Sequence, residues 1–177
     1  MAYILIDGYN LIGIAHDNLE KARNELVRRL QEYSQIKKHD ITLVFDGWKS
    51  GQKDQTRMKS GHVTVMYSRL GETADVLIRK KLTSTKKPWI VVSSDREISD
   101  FAANKDFAAV SSDEFEVKLF TTLHGNHIDL IPDMQTDNEE LLKYYNDEPD
   151  PSPARLKGNP RKLSKRQKKK LQALKKL

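Results

Sequence analysis

The chain contains no cysteine. That absence removes disulfide frameworks, thiolate zinc sites and cysteine nucleophiles together. It also suits a reducing compartment, so a cytoplasmic location is expected. Glycine patterns that cradle phosphates are missing as well: neither G-x-G-x-x-G nor G-x-x-x-x-G-K-[ST] occurs, and a dinucleotide or P-loop nucleotide site has no support. There is no G-x-S-x-G elbow for serine hydrolase chemistry. Aspartyl-phosphate chemistry would want a second acid two residues after Asp7, where Tyr9 stands. Long apolar runs are absent too. The first of them, Tyr3 to Ile6, is cut by Asp7 far short of a signal h-region or a membrane span and has no basic segment before it, so no targeting segment is expected. His124-Gly125-Asn126-His127 is nearest to a zinc motif but has no third ligand close by, and a surface turn is the expected form.

What is present is unevenly distributed. A length of 177 residues suits one domain plus an appendage, enough to bury a core unaided. The net charge of +6 hides a division. All 25 acidic residues and 20 of the 31 basic ones lie before Arg155, giving that body a net charge of −5, whereas Arg155 to Leu177 holds 11 Lys and Arg and no acid. A block of one sign binds polyanions or remains solvated as a tail.

Short apolar, β-branched runs recur at Tyr3–Ile6, Ile41–Phe45, Val63–Tyr67, Trp89–Val92 and Phe107–Val110 and read as strands. Between them the apolar positions take helical spacing: Leu19, Ala22, Leu26, Leu30 and Tyr33, then Ala74, Ile78 and Leu82, then Phe115, Leu119 and Leu123. Strands alternating with amphipathic helices predict an α/β fold with a mostly parallel sheet covered on both faces. In such folds functional groups gather at the carboxyl ends of the strands. Three prolines within Pro149 to Pro153 mark a linker, so the expected organisation is a domain over 1–146, a Pro-rich linker over 147–160 and a basic tail over 161–177. A capping pattern at Ser164 to Gln167, followed by Leu171, Leu174 and Leu177, would let the tail fold into a basic helix on a partner.

Each strand pattern near the start, middle and end of this body stops at an acid. Asp7, Asp46 and Asp95 follow the first, second and fourth runs, and Asp75 lies one turn into the helix after the third, with Glu72 one turn earlier. Taken singly, each acid has a structural explanation: Asp-Gly pairs make turns, Ser94 with Glu97 is a capping pattern, and Asp75 can pair with Arg79. Together, four carboxylates on one rim repel one another and remain ionised only if a cation neutralises them. Oxygen ligands without His or Cys suit Mg²⁺ or Mn²⁺, and the chemistry that follows is phosphodiester hydrolysis by a metal-activated water. Asn10 is placed to orient that water or a phosphate oxygen, or else to cap a loop.

Ile4-Leu5-Ile6-Asp7-Gly8-Tyr9-Asn10-Leu11-Ile12, Val44-Phe45-Asp46-Gly47, Glu72-Thr73-Ala74-Asp75 and Ser93-Ser94-Asp95 resemble, in order and spacing, the motifs of the YacP-like NYN-domain proteins, a branch of the PIN-like ribonucleases. The resemblance implies a three-layer α/β/α PIN-like, Rossmann-like fold and Mg²⁺- or Mn²⁺-dependent endoribonuclease activity, in some members on messenger RNA at the ribosome. By motif position Asp7, Asp46, Asp75 and Asp95 would be the metal acids and Asn10 their polar companion. The chain departs from the pattern at Val76, where members often carry a second acid.

For RNA, the segment from Gly47 to Gly61 reads as a flexible basic loop beside the acids, with Trp48 to stack on a base and Lys49, Lys53, Arg57 and Lys59 for phosphates; Arg69 and Arg96 would extend it. The tail, with Arg161, Lys162, Lys165 and Arg166, would be the stronger electrostatic anchor on single-stranded RNA or the ribosome. The competing expectation is an RNA- or ribosome-binding module whose PIN-like site is inactive.

Overall fold

A computed structural model describes residues 1–13, 18–47, 55–125 and 163–177. Six strands form one sheet: β1 (Tyr3–Asp7), β2 (Asp40–Phe45), β3 (Thr56–Ser60), β4 (Val63–Tyr67), β5 (Trp89–Val92) and β6 (Ala108–Val110). Their order is β3-β4-β2-β1-β5-β6, parallel throughout except for β3, which runs antiparallel to β4 at one edge. All five strands expected from the sequence are therefore present, in the expected parallel arrangement.

The helices are α1 (Gly8–Ile12), α2 (Leu19–Lys37), α3 (Ala74–Thr83), α4 (Arg96–Asn104), α5 (Ser112–His124) and α6 (Lys165–Lys176). They divide between the two faces of the sheet. One core joins Ile4, Ile6, Leu43, Phe45 and Val92 to Leu26, Leu30 and Tyr33 of α2 and to Phe115 and Leu119 of α5. The other joins Leu5, Val44, Met66 and Val91 to Leu77, Ile78 and Leu82 of α3 and to Ile98 and Ala102 of α4. Strands buried on both faces explain why the sequence shows continuous β-branched runs rather than alternation. Each long helix opens on a side-chain cap, at Asn18, Thr73, Asp95, Ser111 and Ser164, which satisfies first-turn N–H groups left without helical partners.

Two expectations need correction. The basic segment before Gly61 is not a loop throughout: Thr56–Ser60 pairs with Val63–Tyr67 as β3, closing a hairpin at Gly61 with φ +59°. Its run Thr-Arg-Met-Lys-Ser lacks apolar alternation because it is an exposed edge, paired through its backbone.

The basic tail is also not a free arm over its last residues. Helix α6 does form, but it packs against β6, burying Ala173 and Leu177 in the α2–α5 core with Leu174 packed beside them; Leu171 stays exposed. Its cations meet acids of the body: Lys165 and Lys169 pair with Asp106, Arg166 with Asp100 and Lys170 with Glu114. The basic, apolar-striped helix thus packs on the acidic body. The Pro-rich segment 147–160 lies outside the described residues. Among the described residues no helix is long and apolar enough to cross a membrane.

Candidate active site

The central strand is β1, with β2 on one side and β5 on the other. The chain reaches β2 from β1 through α1 and α2, and reaches β5 from β4 through α3, so the direction of winding reverses between β1 and β5. In open α/β sheets the crevice at the carboxyl ends of such a pair is where ligands bind. Asp7 ends β1 there, and Asp95 follows β5.

The local structure holds both carboxylates in place. Asp7 caps α1, accepting the Asn10 N–H at 3.2 Å. Gly8 follows because a Cβ at that position would lie 2.2 Å from the Phe45 ring, so the Asp-Gly pair reflects close packing at a helix start rather than a turn. Asp95 caps α4, accepting N–H groups of Glu97 at 2.6 Å and Ile98 at 3.2 Å. Asp46 leaves the end of β2 and accepts the Ala74 N–H, which ties it to the first turn of α3, where Asp75 stands.

Asp7 and Asp75 both feel the charges of the neighbouring aspartates. Asp7 is 7% exposed, and its pKa is pushed up to about 6, first by burial and then by the charges of Asp75, Asp46 and Asp95, against the Asn10 hydrogen bond. Asp75 is raised by burial and by Asp95 and Asp46, while Arg79 opposes. Glu72 stands apart. It is buried and neutralised by Lys80 and, at 3.4 Å, by Arg69, so it anchors the turn before α3. Arg79, whose spacing from Asp75 would allow a pair, bonds Glu97 at 2.7 Å.

Asn10 has a structural task that its place in the sequence only half suggested. Its Oδ1 accepts the Ser94 N–H at 2.7 Å and the Ser112 hydroxyl at 2.6 Å, and Ser112 N–H donates to Ser94 Oγ at 3.0 Å. One amide oxygen thereby joins the end of β1, the loop carrying Asp95 and the start of α5. Ser93, Ser94 and Ser112 were not foreseen as site residues; only the Ser93-Ser94-Asp95 motif hinted at the first two.

Of the residues expected to bind RNA, Arg96 is exposed directly after Asp95. Arg57 and Lys59 lie on β3 and line a separate groove toward the opposite ends of the strands. Lys165 and Arg166 are in the ion pairs of α6 described above. Trp48, Lys49, Lys53, Arg161 and Lys162 lie outside the described residues.

Aspartate oxygens without His or Cys are the ligand type that suits a hard divalent cation such as Mg²⁺ or Mn²⁺, which keeps several waters. The rim is not a closed cage. Among the described residues no three His, Asp or Glu side chains converge tightly enough to enclose an ion.

The model of the YacP-like NYN domain matches residues 4–176. The chain belongs to that family. Domains of this family are PIN-like and generally of the nuclease type. The chain is similar to the uncharacterized protein YacP of Bacillus subtilis (strain 168), at 33% identity over 89 residues, which is 45% of this chain and 51% of the relative; the match thus spans about half the length of that protein. Crystal structures of Rae1 (YacP) from Bacillus subtilis share the fold. A mutant form of Rae1 superposes with a TM-score of 0.59 at 23% identity, covering 81% of this chain and 91% of that one. A second Rae1 structure gives 0.59 at 21% identity, covering 82% and 93%. The family match extends to residue 176, so α6 belongs with the family domain, as its packing against β6 also indicates.

Proposed function

We propose that this protein is a divalent-metal-dependent endoribonuclease in which Asp7, Asp46, Asp75 and Asp95 hold Mg²⁺ or Mn²⁺ at the β1–β5 crevice. The observation that carries the reading is the buried Asp7 at the end of the central strand, with Asp95 following the neighbouring β5 and Asp46 tied to the first turn of α3, where Asp75 stands. Asp7, Asp46 and Asp95 each accept backbone N–H groups at a helix start, but that capping does not require the three and Asp75 to share one rim, where their charges repel, whereas an RNA-cutting site needs them together. When bound, the cation would lower the pKa of a water and screen charge developing on the phosphate.

The chain's own residues do the rest. Asp7 presents its carboxylate from the rigid central strand, and Asp95 does so from a helix cap that fixes its orientation. Asn10 is a positioning residue, because it locks the Asp95 loop against β1. Arg96 offers a cation to the RNA backbone beside the rim, with Trp48, Lys49 and Lys53 proposed to extend that track toward single-stranded RNA. The ribosome is the proposed setting on the family resemblance, and the cytoplasm on the absence of cysteine. The open arrangement of the acids is the one observation favouring the alternative, an RNA-binding module with an inactive site.

The test is cleavage of labelled single-stranded RNA by the wild type, Asp7→Asn and Asp95→Asn, with Mn²⁺, with Mg²⁺ and with EDTA. Cleavage should require metal and fall by about 10³-fold in either variant, corresponding to several kcal/mol of lost transition-state stabilisation. Absence of metal-dependent cleavage on free RNA and on translating ribosomes alike would favour the binding module.

A further inference from the structure

Toward the amino-terminal ends of the strands, away from the aspartate rim, lies a groove of about 290 Å³. Along β1 the two places are separated by the rise from Tyr3, which lines the groove, to Asp7, about 13 Å at ~3.3 Å per residue. Four cations converge on it from separate elements: Arg57 and Lys59 from alternate positions of β3, Lys81 from α3 and Lys87 from the loop before β5. Among the described residues the only acid lining it is Asp40, which is engaged with His62 at 2.9 Å.

The groove is built for polar company. Thr42 and Thr64, paired across β2 and β4, are buried and line it on the sheet face that carries Leu5, Val44 and Met66, with Lys59 next in register to Thr64. Lys87 Nζ sits 4.3 Å from the Tyr3 ring centroid and Lys81 Nζ 5.5 Å from that of Trp89, so aromatic faces hold both ammonium groups in place. Trp89 also lines the groove, and its buried Nε1–H has no hydrogen-bond partner among the described residues. Burial, then Arg57 and Lys87, hold Lys81 below its ordinary pKa, a cost to its charged form that a neighbouring anion would offset.

Edge protection accounts for charges on β3. It gives no reason for Lys81 and Lys87 to approach the same place from α3 and its following loop, nor for the pair of buried threonines.

We propose that this groove binds the phosphate backbone of RNA at a position away from the bond being cut. The proposal rests on the reading of the chain as a protein that acts on RNA. It adds a second contact, at the opposite ends of the strands, to the one at the aspartate rim. Lys and Arg side chains serve as phosphate contacts, and the threonine hydroxyls are further donors.

Full-length wild type, the triple variant Arg57→Gln/Lys59→Gln/Lys81→Gln and the single variant Lys87→Gln would be titrated with labelled oligouridylate in EDTA over a salt series, with a melting curve for each. The slope of log affinity against log salt should become shallower by about 2 in the triple variant and by about 0.7 in Lys87→Gln, the expectation for three and one lost phosphate contacts on a single strand. Lys87 is exposed in a loop, so its variant keeps the proposal testable should the triple variant melt early. Metal-dependent cleavage of a dinucleotide, too short to span from rim to groove, should be unchanged, and that readout reports on the nuclease reading separately. Unaltered affinity and slope in both variants, or no binding of oligouridylate by the wild type, would overturn the proposal. So would a groove-dependent rise in melting temperature with inorganic phosphate but an unchanged RNA slope, which would make it a site for free phosphate.

Discussion

The hydroxyl of Tyr33 donates a 2.9 Å hydrogen bond to the backbone carbonyl of Leu177, 144 residues further along the chain. Tyr33 is fully buried, and burial pushes its hydroxyl well above the ordinary tyrosine pKa, so it remains a neutral donor. His39, in the turn after α2, reaches the Lys176 carbonyl at 2.9 Å. The basic helix is thus pinned to the end of α2 as well as to β6.

Removing that helix should therefore act on stability before it acts on RNA. Leu177→Ala is expected to cost about 2 kcal/mol, at the low end for a buried leucine because it lies at a helix end, and to lower the melting temperature by about 4 to 8 °C. Deleting 163–177 should cost more, by uncovering β6 and the α2–α5 core. Urea unfolding of the three proteins checks this. A deletion variant as stable as the wild type would mean that α6 is a detachable arm after all.

Asp7 gives a prediction with a definite sign. Its folded pKa, about 6, lies above the ordinary aspartate value of 3.8, so the native state holds the proton more tightly than the unfolded chain does. Stability is then greatest, as far as this group is concerned, below about pH 4; it falls as the pH rises toward 6, and at neutral pH ionised Asp7 costs about 3 kcal/mol. In the absence of metal, Asp7→Asn should melt above the wild type at about pH 8, with the difference fading toward pH 4. Mn²⁺ should raise the wild type toward the variant by binding the native state. Melting curves over pH with and without Mn²⁺ decide this; a variant that melts below the wild type at every pH would contradict it.

The two glycines beside the rim should fail differently. At Gly8 an added Cβ meets the Phe45 side chain at 2.2 Å, whereas at Gly47 it meets the Ser68 backbone carbonyl oxygen at 1.7 Å. Gly8→Ala should destabilise by about 1 to 3 kcal/mol, and Phe45→Leu added to it should recover part of that loss, because the offending group is a replaceable ring. No side-chain change in the neighbourhood should rescue Gly47→Ala. A double-mutant cycle read by denaturant unfolding measures both.

The five parallel strands were legible because strands buried on both faces must be continuously apolar, and Asp7, Asp46 and Asp95 were legible because each lies at or just after the end of such a run, with Asp75 one turn into the helix after another. β3 was not, because Arg57, Met58 and Lys59 carry no periodicity and the backbone of β4 imposes their conformation. The docking of α6 was hidden for another reason: a lysine-rich segment reads as solvated until Asp100, Asp106 and Glu114 are known to face it. Asn10 lay between these cases. Its position among the acids was visible, but its bond to Ser112, 102 residues away, depends on the sheet order.

The placement of β1 at the centre of the sheet bears on when the protein could become active during its own synthesis. Residues up to Tyr67 already include Asp7 and Asp46, yet β1 has only one of its two neighbours until β5 is made, and Asp95 follows only after that. The two sides of the crevice therefore come from early and late parts of the chain. A half-made or partly folded copy has no crevice in which to hold RNA, so the cutting competence proposed for this protein would arrive in one step with the closing of the sheet around its first strand.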